Sequence, residues 1–200
     1  MTITYKVKNG IYVNMTNRCP CACTFCLRQN GPGVYGSDSL WLEHEPTVEE
    51  VKASIDAWDL SLYDEVVFCG YGEPTERLPE LLEVAAYIRS KSPIRIRINT
   101  NGLADLIWNR DTTPDLKGLI DTVSISLNAN DAETYLKLTR SKFGIGSYEA
   151  MLDYARRCTA YVPNVVMTVV DQVTSLKEQE IARGICDSLG VTLRVRPFES

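Results

Sequence analysis

"IYVNMTNRCPCACTFCLR" (residues 11–28) runs from an alternating apolar segment into a loop that holds Cys19, Cys21, Cys23 and Cys26 within eight residues. The chain has seven cysteines, and the other three, Cys69, Cys158 and Cys186, stand alone. Whatever the four do, they do locally. Residues 11–16 read as a strand, so the thiols sit just past a strand's C-terminal end.

The rest of the chain repeats that unit. A helix is expected over 47–58, opened by a Thr47/Glu50 capping box. Strands follow at 65–70, 94–100, 122–128, 164–170 and 192–198. Between them lie helices at 78–90, at short pieces of 103–120, after Asp131, at 147–161 and at 175–190. Six strands alternating with helices predict an α/β fold with a parallel sheet, either doubly wound or part of a (β/α) barrel.

The strands help to choose. Asn14/Thr16, Arg95/Arg97/Asn99, Ser124/Ser126/Asn128 and Arg194/Arg196 set polar side chains at period two. A doubly wound sheet buries its central strands on both faces and has only two edges to expose. Four polar stripes therefore favour a partial (β/α)6 TIM-like barrel with a wet lumen. Ligands are expected at the C-terminal ends of its strands.

Composition bounds the partners. Two hundred residues with no linker or repeat read as one domain, 1–200. A net charge of −5 without a basic run argues against nucleic acid. No apolar segment approaches the roughly 18 residues of a membrane span. The N-terminus shows no signal-peptide pattern, so a cytoplasmic location is expected, where clustered cysteines are metal ligands more often than disulfides.

Four readings of the cysteine loop compete: a disulfide, a Cys23/Cys26 redox dithiol, structural zinc, and an iron–sulfur cluster. The dithiol leaves Cys19 and Cys21 without a role, and zinc sites usually draw ligands from two separated pairs. Cys19, Cys23 and Cys26 form a Cys-x3-Cys-x2-Cys subset with Phe25 before the last, and three thiolates on a four-iron cluster leave one iron open. A second motif, "CGYGEPT" (69–75), ends the next strand. Gly70 and Gly72 remove Cβ atoms where backbone must approach a ligand, and Pro74 biases Glu73 toward extended backbone. A carboxylate there suits an ammonium group.

These motifs resemble the radical S-adenosylmethionine (SAM) superfamily. The resemblance implies that Cys19, Cys23 and Cys26 bind a [4Fe–4S] cluster, with Cys21 spare. It also implies that Gly70, Tyr71, Gly72 and Glu73 stand where the superfamily's Gly-Gly-Glu-Pro segment holds the methionine moiety of S-adenosyl-L-methionine, Tyr71 replacing a glycine. "INTNG" (98–102) and "SISLNA" (124–129) fit polar strand ends that meet this cofactor, through Asn101, Ser126 and Asn128; the plainer readings are a turn at Asn101-Gly102 and capping before Asp131. "FCGYGEP", "IRINTNG", "VSISLNA", "TVVD" and "RVRP" further resemble the TatD-associated radical SAM proteins, whereas "LTRSKFG" (138–144) departs from that pattern and leaves Arg140 and Lys142 without an assigned role.

The implied reaction is reductive cleavage of SAM to a 5′-deoxyadenosyl radical that abstracts hydrogen from a substrate, with electrons from a flavodoxin- or ferredoxin-type donor. No catalytic side chain is assigned. Arg97, Arg194 and Arg196, if they converge in the lumen, suit an anionic small molecule; pairing with internal Asp or Glu is the alternative. Residues 31–46 are Gly-rich and aromatic, a candidate lid. His44, the sole histidine, reads as a surface residue. Rival readings are a 7-carboxy-7-deazaguanine synthase-like enzyme, a glycyl-radical activase, and a zinc-bound interaction module.

Overall fold

The computed structural model describes residues 1–33, 36–171 and 174–197. Among these lie strands β1 (Thr4–Val7), β2 (Gly10–Val13), β3 (Glu65–Phe68), β4 (Arg95–Thr100), β5 (Thr122–Ser126), β6 (Asn164–Val170) and β7 (Thr192–Arg196). The helices are α1 (Val48–Asp56), α2 (Leu78–Lys91), α3 (Ala104–Trp108), α4 (Ala132–Thr139), α5 (Ser147–Cys158) and α6 (Leu176–Leu189).

The strands form one sheet in the order β1-β2-β3-β4-β5-β6-β7. β2 to β7 are parallel neighbours throughout. Spatial order follows chain order, so the sheet has no point at which it reverses. Right-handed crossovers that never reverse put every helix on one face and leave the other as a lumen. β1 and β7 are not paired to each other, so the barrel stays open.

The structure adds one strand to the six expected. β1 pairs antiparallel with β2 through a two-residue turn at Lys8-Asn9, with Val7 opposite Gly10 and Lys8 at φ 52°. The hairpin places Tyr5 beside Tyr12, ring centroids 5.5 Å apart. With Val7, Leu40 and Tyr71 they form a small second core at this edge of the sheet.

The main core lies between sheet and helices. Val66 and Phe68, Ile96 and Ile98, Val123 and Ile125, and Met167 and Val169 point outward. They meet Val51, Ile55, Leu81, Ile88, Met151, Ala155 and Ala182 from the helices, all fully or almost fully buried. Each such aliphatic side chain is worth about 1.5–3 kcal/mol in burial. Period-two alternation then turns Tyr12, Arg97, Asn99, Ser124, Ser126, Thr168, Arg194 and Arg196 inward. Two of the expected polar stripes behave differently. Asn14 and Thr16 lie past the end of β2, where they bond the Leu40 carbonyl at 2.7 Å and the Glu45 carboxylate at 2.6 Å. Asn128 lies past β5, in the left-handed region at φ 61°.

Helix α1 opens with the reciprocal Thr47/Glu50 box expected from sequence, and α6 repeats it with Ser175 and Glu178. The candidate lid is partly fastened down. Leu40 is buried, its amide bonds Pro32, and Trp41 stands edge-on to Tyr71 at 5.1 Å. Residues 34 and 35 of that segment lie outside the described residues.

Candidate active site

A cavity of about 770 Å³ occupies the lumen and runs from Gly10 and Glu65, at the starts of β2 and β3, to the loops past the C-terminal ends of the strands. All four clustered cysteines line it, together with Gly70, Tyr71, Gly72, Glu73, Asn101 and Ser126. The loops after β2, β3 and β4 and the end of β5 thus converge. Asn128 is buried outside that lining.

The cysteine loop has no regular structure before a 3-10 turn at Leu27–Gln29, and its shape comes from bonds to other segments. Ala22 N–H donates to Thr139 O and Thr24 N–H to Leu138 O, both at 2.9 Å. Lys142 N–H donates back to Pro20 O at 2.9 Å. The end of α4 and the turn after it therefore clamp the loop through main chain alone, and this is what "LTRSKFG" does. The Gln29 amide adds a bond to Cys23 O at 2.6 Å, and Arg28 reaches Cys21 O at 3.3 Å.

The thiols form an uneven set. Cys21 is the most buried of them and lies within hydrogen-bonding reach of both Cys19 and Cys23. Hydrogen bonding with Cys21, whose single S–H can serve either neighbour, is the first cause that holds the Cys19 and Cys23 thiols below their ordinary value, toward thiolate. Those same contacts, with burial, push Cys21 far upward. Burial also raises Cys26, partly offset by the Arg28 side. Asn101 Nδ2 stands 4.0 Å from Cys19 Sγ and 3.9 Å from Cys21 Sγ. Among the described residues, no three His, Cys, Asp or Glu side chains are grouped to hold a single metal ion.

The loop after β3 is pressed against the cysteine loop. A Cβ at Gly70 would fall 2.0 Å from Asn14 Oδ1, and one at Gly72 would fall 2.2 Å from Thr16 O. The glycines are needed first for this loop-on-loop contact, which sequence spacing did not disclose. Glu73 N–H bonds Arg18 O at 2.8 Å. Its side chain is buried and already engaged. Oε1 accepts from Thr75 N–H at 3.1 Å, Thr75 Oγ1 at 2.7 Å and Thr100 Oγ1 at 2.7 Å, while Oε2 accepts from Asn101 N–H at 2.7 Å. Desolvation holds the carboxyl above its ordinary value against these four donors. Thr100 escaped sequence reasoning because nothing local links positions 27 residues apart; Thr75, two residues on from Glu73, stood in the motif but was given no role.

The basic side chains separate. Arg97 is paired: Nη2 and Nε bind Glu65 at 2.6 and 3.0 Å, and Nη1 donates to Asn99 Oδ1 at 2.8 Å. Among the described residues, Arg194 reaches the Ser124 hydroxyl, at 3.4 Å, and forms no ion pair. Arg196 carries a buried Nε with no hydrogen-bond partner among the described residues. His44 is exposed, 3.3 Å from Glu50.

A family model described as the radical SAM superfamily matches residues 13–183. The chain belongs to the radical SAM superfamily. Its members use a [4Fe–4S] cluster and SAM, and the donor set fits such a group: soft thiols at one end of a cavity, two of them biased toward thiolate, beside polar strand ends. The chain is 27% identical over 197 residues to a GTP 3′,8-cyclase of Corynebacterium glutamicum (strain R), an alignment covering 94% of this chain and 48% of that protein. Among solved structures, Streptococcus suis SuiB bound to its precursor peptide SuiA matches with a TM-score of 0.69 at 14% identity, over 94% of this chain and 39% of that one. SuiB bound to S-adenosylmethionine matches with a TM-score of 0.65 at 13% identity, over 94% and 40%. The chain spans less than half the length of these radical SAM relatives, and the likeness to SuiB is one of fold: a partial TIM-barrel core.

Proposed function

We propose that this protein is a radical SAM enzyme acting on a small-molecule substrate, with Cys19, Cys23 and Cys26 as ligands of one [4Fe–4S] cluster. The convergence of all four cysteines with the loops after β3 and β4 on one cavity carries the reading. When bound, cluster and SAM together supply reductive cleavage to methionine and a 5′-deoxyadenosyl radical, which takes hydrogen from substrate.

The chain's own residues position and enclose. The segment 70–72, Asn101 and Ser126 offer backbone and side-chain polar groups to SAM. Glu73 serves as a strut, since its four internal donors tie the 70–75 loop to the end of β4. Cys21, although it lies beside Cys19 and Cys23, is not a cluster ligand in this reading and keeps its proton. Tyr71, whose hydroxyl donates to Gly31 O at 2.7 Å and whose ring meets Trp41, ties Gly31 and Trp41 to the edge of the site and helps exclude water there. Within the superfamily the proposal extends to the TatD-associated group on the strength of its sequence motifs. It also includes a cytosolic location, in keeping with seven free cysteines, and an external flavodoxin- or ferredoxin-type electron donor.

The test is anaerobic reconstitution with iron and sulfide, followed by SAM and dithionite. Appearance of 5′-deoxyadenosine by chromatography supports the reading. A colourless zinc protein that leaves SAM intact overturns it.

A further inference from the structure

The lumen carries charge of the wrong sign for this chain. The protein's net charge is −5, yet the cavity is lined by five basic side chains (Lys8, Arg28, Arg97, Arg194, Arg196) and three acidic ones (Asp64, Glu65, Glu73). Glu73 faces its own donors, and Glu65 is spent on Arg97. Arg194 and Arg196 remain. Neither forms an ion pair among the described residues, and the Nε of Arg196 is buried without an acceptor. Arg194 is exposed and Arg196 half-buried, so both guanidiniums keep their charge and present it to the open lumen, where an anion can meet it.

The two arginines are i and i+2 on β7 and share the lumen face. Register places Ser126, Thr168 and Arg194 in one row across β5, β6 and β7, with the Ser124 hydroxyl 3.4 Å from Arg194. Hydroxyls and forked guanidinium donors in one concave wall are what a tetrahedral or planar oxyanion binds. Partial burial, and then the charges of Arg97 and Arg196, make Arg194 hold its proton less tightly than usual, with Glu65 and Tyr12 offsetting them only in part. This wall stands four strands from β3, whose loop faces the cysteines.

We infer that Arg194 and Arg196, with the hydroxyls of Ser124 and Thr168, form an oxyanion subsite that holds a phosphate or carboxylate group of the substrate. The inference rests on the radical SAM reading for the word substrate; the site itself does not.

Inorganic phosphate and malonate are the probes, titrated calorimetrically into the protein before and after reconstitution. One anion per chain is expected, and the tighter of the two names the group. Arg194→Gln or Arg196→Gln should weaken binding about tenfold or more, whereas Arg183→Gln on the exposed face of α6 should not. Arg194→Lys and Arg196→Lys, which keep charge but lose the fork, guard against a variant that merely misfolds; they should bind more weakly than wild type at an unchanged melting temperature. Saturating SAM should leave the reconstituted protein's phosphate affinity intact. No binding by wild type at tens of millimolar overturns the site, as does equal binding by the glutamine variants. Mole-for-mole displacement of phosphate by SAM also overturns it, since the arginines would then hold the cofactor's own carboxylate. The titration needs no turnover. A protein that binds phosphate without cleaving SAM loses the enzyme reading and keeps the site; one that cleaves SAM without binding either anion does the reverse.

Discussion

The carboxylate of Glu73 and the hydroxyl of Thr100 meet at 2.7 Å, joining the loop after β3 to the last residue of β4. The same hydroxyl accepts from Gly102 N–H at 3.0 Å. Thr100→Val removes a donor from a buried carboxylate and an acceptor from a main-chain amide. A loss of about 2–3 kcal/mol is expected from urea unfolding. An unchanged midpoint would mean that Thr75 and Asn101 hold Glu73 without help.

Gly72 abuts main chain, so its substitution has nowhere to relax. Gly72→Ala should cost about 3 kcal/mol or displace the loop. Gly184, exposed in α6 with nothing near its missing Cβ, makes the contrast. Gly184→Ala should stabilise by about 0.5–1 kcal/mol. Thermal melts of the pair check both signs.

The three-ligand assignment separates Cys21 from its neighbours. After reconstitution, Cys19→Ala, Cys23→Ala and Cys26→Ala should lose cluster iron and visible absorption. Cys21→Ala should keep them. Iron loss from Cys21→Ala alone would sink the assignment.

Arg97 and Glu65 form a two-pronged pair, 9% and 29% exposed at the side chain. Glu65→Gln leaves a buried charge unmatched and should cost about 3 kcal/mol. Arg97→Met with Glu65→Leu should cost less than the sum of the single changes, with a coupling of about 1–3 kcal/mol in a double-mutant cycle. Additive losses would show that the ion pair is incidental.

Acid should open the helix starts. Glu50 is held below its ordinary value by the Thr47 backbone amide first, and Glu178 by the Ser175 hydroxyl first. Asp131 is held down by the Thr134 amide first. A depressed carboxylate contributes stability that is complete above its unfolded value and lost as pH falls through its folded one. Melting temperature should therefore drop below about pH 4.5, and Ser175→Ala should blunt the drop while costing about 1 kcal/mol at neutral pH. An equally steep drop in that variant would assign the acid sensitivity elsewhere.

The barrel was legible because its period-two polar stripes fall on the lumen face at Arg97/Asn99, Ser124/Ser126 and Arg194/Arg196. β1 was missed although "VKNGIYV" (7–13) carries an Asn-Gly hairpin signal, because four residues of mixed polarity before it gave no core face. The cysteine loop and the 69–75 loop were readable as motifs since their spacing is local. Their supports were not. Thr139, Leu138 and Lys142 act through main chain, which no side-chain pattern records, and Thr100 meets Glu73 only once β3 and β4 lie side by side. Arg97 fell to the structural alternative, because its partner Glu65 stands 32 residues away on the neighbouring strand.

The clamp of the cysteine loop by the turn after α4 bears on how the protein matures. Ala22, Thr24 and Pro20 take their positions from peptide groups that neither iron nor sulfide contributes. Because these bonds require no metal, cluster loading is expected to be insertion into a loop already tied to the fold rather than a folding event. Stripping the metal should then leave an intact shell that accepts a second charge of iron.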